Sequence, residues 1–167
     1  MSALRSILIT TIVSLFAVPH VRAGIADSPL PVLVAGQTTL HLYSVPGVEA
    51  SGVLDTFFSC TSTEETATMQ VGVELFAGAG GAPINDAAAT SLSVGPGATV
   101  IFGTRGAAGI SINSNLSGGG FSKGSARILA TSKKLACTAF LADANNAPPT
   151  SMAQLTIIAK LKQKAAN

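Results

Sequence analysis

Thr68-Met69-Gln70-Val71-Gly72-Val73-Glu74-Leu75-Phe76-Ala77 is the stretch on which the fold turns. Met69, Val71, Val73 and Leu75 fall on one side of a two-residue period, and Thr68, Gln70, Gly72 and Glu74 on the other. Successive side chains of an extended chain point to opposite faces, so this pattern predicts a half-buried strand. A helix would gather its apolar residues in a stripe of period 3.6, whereas here they recur at every second position from Met69 to Leu75.

The same period recurs outward in both directions. Upstream, Thr38 to Tyr43 alternates Leu40 and Leu42 against Thr39, His41 and Tyr43, and Val53 to Thr61 forms a second run. Earlier still, Leu30 to Val34 is apolar on both faces. Pro29 and Pro31 confine it to an edge or a lead-in. Downstream, Gly78 to Pro83 is a loop, and Leu92 and Val94 lead into the turn Gly95-Pro96-Gly97 before Ala98 to Thr104. Further strands are expected over Ile110 to Leu116, Ser125 to Thr131, Lys134 to Ala142 and Ala153 to Leu161. In the last of these, Leu155, Ile157, Ala159 and Leu161 share a face.

Eight or nine short strands separated by Gly, Pro and Asn loops predict an all-β fold, an antiparallel β-sandwich. Parallel strands joined by helices are excluded, because the one helical candidate, Asp86-Ala87-Ala88-Ala89, is a single turn. The two cysteines, Cys60 and Cys137, lie in phase with inward-facing residues. Leu54 and Phe58 accompany the first, and Leu135, Ala139 and Leu141 the second. In an exported chain such a pair is expected to form a disulfide, which would add roughly 4–5 kcal/mol in the chain-entropy model. Two cysteines on two strands in this layout resemble an immunoglobulin-like sandwich, in which a disulfide ties two sheets together. The chain departs from that family in lacking Trp and in placing its single tyrosine, Tyr43, before both cysteines. The resemblance is architectural and brings no functional residues with it.

Export is read from the first residues. Arg5 supplies a positive start, and Ile7 to Val18 is an apolar run of 12 positions, shorter than the roughly 18 a membrane span needs. Val21-Arg22-Ala23 offers a small-residue exit, so cleavage is expected after Ala23, with Ala26 as a second exit. Residues 1–23 are thus expected to be a cleavable signal peptide, 24–161 a single β-sandwich domain and 162–167 a basic C-terminal tail. No span is expected after processing, and the destination is a secreted, periplasmic or cell-surface location.

Composition narrows the function classes. Charged residues are 11% of the chain, so Ser, Thr, Asn and Gln must carry much of the wet surface. Of the ten cations, Lys160, Lys162 and Lys164 fall in the last eight residues. Without them and the signal, Arg105, Lys123, Arg127, Lys133 and Lys134 face eight carboxylates, a balance of −3. Nucleic acid is disfavoured as a partner, because its binding requires a basic face. The scarcity of aromatics argues against sugar stacking and against an outer-membrane barrel.

The candidate chemistry is thin. His41 is the only histidine after the signal, and it reads as a solvated strand residue. Gly120-Phe121-Ser122-Lys123-Gly124 fits the G-x-S-x-G pattern, but no helix follows, as a nucleophile elbow requires. Asp143-Ala144-Asn145-Asn146 is similar to the start of a calcium loop without its Gly and bidentate Glu, and reads better as an Asx turn. Asn115-Leu116-Ser117 is a glycosylation sequon where the host glycosylates. No residue pattern asks for a cofactor or a metal. The expectation is a non-catalytic exported module with a structural or binding role and an unidentified protein or surface partner, its oligomeric state open. Two alternatives stand beside it. One is a subunit of a fimbrial-type surface assembly that uses Leu30 to Val34 for strand complementation. The other is an exported hydrolase.

Overall fold

The computed structural model describes residues 24–26, 28–106, 108–116 and 118–160. The signal segment with its Ala23 exit, Leu161 and the basic tail 162–167 lie outside them. The described chain is all-β and has no helix. Its ten strands are β1 (Leu40–Ser51), β2 (Leu54–Ser62), β3 (Met69–Ala77), β4 (Leu92–Val94), β5 (Thr99–Gly103), β6 (Ser114–Asn115), β7 (Phe121–Ala130), β8 (Leu135–Asp143), β9 (Met152–Leu155) and β10 (Ile158–Ala159).

They form one mixed sheet with the path β4-β3-β7-β1-β2-β5-β6, while β8 pairs with β2 and β9, and β10 pairs with β1. All pairs are antiparallel except β5–β6, where Phe102 lies beside Ser114 and Gly103 beside Asn115. This parallel pair corrects the expected purely antiparallel arrangement. It arises because the loop after β5 doubles back, so that β6 runs alongside in the same direction. The sheet curls almost into a barrel. β1 joins β2 through a tight hairpin at Ala50–Asp55, β2 joins β8, β8 joins β9, and β10 returns to β1. The expected final strand is therefore two half-strands. β9 adds to β8, Thr156 and Ile157 carry the chain across, and β10 adds to β1.

The core draws on every side of this curl. Val45, Phe58, Cys60, Val71, Val73, Leu75, Phe102, Ile128 and Ala139 are all fully buried in one cluster, and Leu155 and Ile157 pack against it. Met69, Val71, Val73 and Leu75 face inward as their period requires. The other face of β3 is not solvated as expected, since Gly72, Glu74 and Phe76 are buried too. An N-terminal arm, residues 28–34, lies over this outer face without joining any ladder. Its Leu33 packs with Ala87 and Leu129 against the Cα of Gly72, where a Cβ would come within 3.0 Å of the Leu33 methyl group. Glycine at 72 lets the arm approach the sheet.

β1 is twice as long as its sequence pattern suggested. The strand continues through Pro46 and Gly47 by register shifts between Pro46 and Val48 and between Val48 and Ala50, with Gly47 at φ 76°. Bulges accommodate a residue that has no N–H to offer and sharpen the local bend, which here begins the curl.

Candidate functional site

The residues singled out for chemistry are dispersed. His41 lies opposite Leu129 at one end of β7, whereas Ser122 lies at the other end, next to Phe121, which pairs with Ala50. Seven residues of extended chain separate them by roughly 20 Å. Ser122 is exposed on a strand, so the G-x-S-x-G stretch forms no elbow. Asn115 is exposed on β6, Leu116 beside it is buried, and Ser117 of the sequon lies outside the described residues.

Asp143 closes the loop that follows β8. Its Oδ1 accepts the Asn145 N–H at 2.9 Å, and its Oδ2 accepts the Thr150 hydroxyl at 2.7 Å and the Asn146 side-chain amide. This is an Asx turn, not a calcium loop. The Thr150 hydroxyl first, then the Asn145 and Asn146 donors, hold the carboxyl below its usual range. Among the described residues, no three His, Cys, Asp or Glu side chains gather in a way that could hold a metal.

Three ion pairs join described residues; one, Lys134 with Glu64 at 3.5 Å, is largely exposed, and the other two have a buried carboxylate. Arg127 and Glu74 face each other in register on β7 and β3, and both are buried. Arg127 Nη1 donates to the Ser28 carbonyl at 2.9 Å, Nη2 donates to the Pro29 carbonyl at 2.7 Å, and the guanidinium lies 5.2 Å from the Phe76 ring centre. One cation therefore clamps the arm to the sheet. The available signal was an arginine set between Ala126 and Ile128 in an apolar strand, with Glu74 in the other most apolar strand. The second pair joins Arg105 Nε to the buried Asp55 at 2.6 Å, and Arg105 Nη2 also reaches the Gly52 and Leu54 carbonyls.

The cysteines meet. Cys60 and Cys137 are joined by a disulfide, with their Cα atoms 4.1 Å apart. They are direct register partners on the neighbouring strands β2 and β8, so the bond spans one ladder and does not tie two sheets as the immunoglobulin-like layout implied. The phase of each residue was legible in the sequence, whereas the identity of its strand neighbour was not. Beside this bond, where the chain passes from β9 to β10, an open cavity of about 410 Å³ is lined by Cys137, Thr138, Gln154, Leu155, Thr156 and Ile157. Its lining residues are two threonines and a glutamine together with Leu155, Ile157 and Cys137. None of these six side chains is charged, so the cavity has no group for acid–base chemistry.

No known protein family, curated protein or solved structure matches this chain.

Proposed function

We propose that this chain is an exported, non-catalytic module with a structural or binding role, built as a β-sandwich. The observation that carries the reading is where its buried and half-buried charges go. Glu74 and Arg127 hold the arm, Asp55 and Arg105 hold the β1–β2 hairpin, and Asp143 holds the loop after β8. Each of these groups serves the fold, and none faces the cavity. The sandwich reading is supported by two ladders, β4-β3-β7-β1 and β5-β2-β8-β9, whose apolar faces meet in one core. Export is supported by the disulfide, which suits an oxidising compartment, together with the charged start, short apolar run and Ala23 exit of the first residues.

The test is made on protein recovered from the envelope or medium of cells that express the full chain. Intact mass should correspond to cleavage after Ala23 or Ala26 with the two thiols oxidised. A panel of esters and peptides should remain uncleaved, and a native pull-down should return a partner. Hydrolysis that disappears in Ser122→Ala would overturn the non-catalytic reading, and retention of Met1 to Ala23 would overturn the processing.

A surface assembly by strand complementation is the second reading. It is favoured by the arm, which joins no ladder and leaves Leu30 and Val32 exposed. Sedimentation velocity over a hundredfold concentration range separates the two, since an assembly subunit shifts to larger species.

A further inference from the structure

The two ends of the disulfide have different surroundings. Cys60 is on β2, which has a ladder on each side, and it lies opposite Cys137 of β8 and opposite Val100 of β5. It is fully buried. Cys137 is on β8, where the ladder toward β9 stops at Ala139 opposite Leu155. Two more residues in that register would set Cys137 against Ile157, but the chain has already turned away toward β1. The close approach of the two Cα atoms, 4.1 Å, marks a non-hydrogen-bonded pair. The backbone N–H and C=O of Cys137 therefore point away from β2, toward the cavity. Leu135, two residues earlier, points its carbonyl the same way, and the Tyr43 hydroxyl donates to it.

Thiol–disulfide exchange needs a thiolate to approach one sulfur along the extension of the S–S bond, from the side opposite the sulfur that leaves. Cys60 is fully buried between β5 and β8, with no open surface beside it. Cys137 is half-buried and lines the open cavity. We propose that Cys137 is a thiol-exchange site, entered through the gap between β8 and the β9–β10 crossing by small uncharged thiols. The thiolate sulfur bonds to Cys137 Sγ, the Cys60–Cys137 bond breaks, and the electron pair departs on Cys60 Sγ. Cys60 then takes the proton that the incoming thiol released. An apolar site favours the neutral thiol, which slows the return attack. The products are a mixed disulfide on Cys137 and a buried Cys60 thiol, and no other oxidant or reductant is required. The ten-stranded framework does not depend on the bond to align β2 with β8, because nine register pairs already do so, from Leu54 with Asp143 to Ser62 with Leu135.

The full-length oxidised protein is incubated with 2-mercaptoethanol without denaturant, quenched in acid at short times and mapped by peptide mass spectrometry. The adduct should appear on Cys137 and not on Cys60. Glutathione, larger and charged, should react more slowly at the same thiolate concentration. Adducts at equal levels on both cysteines, or adducts that form only after urea has unfolded the chain, overturn the proposal. A second measurement uses Cys60→Ala and Cys137→Ala, each checked for folding by circular dichroism. The remaining Cys137 thiol should be alkylated about tenfold or more faster than the remaining Cys60 thiol. Equal rates in the folded variants also overturn it.

Discussion

His41 directs Nε2 at the Tyr43 carbonyl, 3.1 Å away, with the Ser44 hydroxyl at 3.0 Å. A proton on Nε2 leaves Nδ1 as an acceptor, and Nδ1 is buried without a partner. Burial, reinforced by the charges of Lys160 and Arg127, lowers the pKa of this imidazole from 6.5 to about 4, against the weaker pull of the Tyr43 bond. The unfolded chain therefore takes up the proton first as the pH falls. The stabilisation is complete above pH 6.5 and is lost on the way down to about pH 4. Because the ring is half exposed, solvent screening reduces the effect to about 1–2 kcal/mol. Urea melts at pH 7 and pH 4.5 should show His41→Gln losing less stability than the parent between the two, and parallel losses would contradict the assignment. Arg127 gives a larger effect. Arg127→Met leaves Glu74 buried without its partner and releases the carbonyls of Ser28 and Pro29, so a loss of about 3–5 kcal/mol is expected. Proteolysis under native conditions should then cut within the arm. If melts show a change below about 1 kcal/mol, the clamp contributes little.

At the scale of elements, period-two alternation located nearly every strand, and the structure shows what such a pattern omits. Leu155 and Ile157 keep their phase across the crossing from β8 to β1, so nothing in the sequence marks the point where one ladder ends and the other begins. Likewise Glu74 alternates as an outward residue should, yet the arm buries it. Which face is inward is a local property, whereas what covers the outer face depends on chain far away. The crossing supplies a direct comparison. Ile157→Asp places a carboxylate against the core and should cost several kcal/mol, whereas Ile158, 52% exposed, should accept Asp within about 0.5 kcal/mol. Thermal melts of the pair decide it, and equal losses would mean that the register of the crossing is wrong. Loop packing is equally specific. A Cβ on Gly109 would collide with the Asn146 carbonyl oxygen and crowd Ala147 and Pro149. Gly109→Ala should therefore push the loop after β5 off the loop after β8 and cost about 1–3 kcal/mol, visible as faster amide exchange in both loops.

For the whole molecule, the all-β class and the cysteine pairing were legible, because both follow from the period-two alternation, the phase of Cys60 and Cys137 and a cysteine count of two. The curl into a near-barrel was not, since it depends on bulges in β1 and on a final strand shared between two neighbours. The candidate cavity was illegible for the same reason: its six lining residues come from β8, from the end of β9 and from the crossing, and no motif links them. The disulfide closes a separation of 77 residues, so reduction or Cys137→Ala should lower stability by about 4–5 kcal/mol. Urea midpoints with and without reductant measure it. A shift below about 1 kcal/mol would show that the β2–β8 ladder alone restrains the unfolded chain as strongly.

The pairing of β1 with β10 also governs when folding can finish. Tyr43 meets Ala159 and Ser44 meets Ile158, so the first strand waits for the last. A chain emerging from a ribosome or a translocation pore can form the β1–β2 hairpin early, but it cannot close the curl until Ile158 and Ala159 have emerged. Contacts this distant in sequence also make closure slow, on the order of milliseconds to seconds for all-β domains. Any polypeptide that crosses a membrane unfolded would gain time from such a wiring, because the strand that locks β1 is made more than a hundred residues after it.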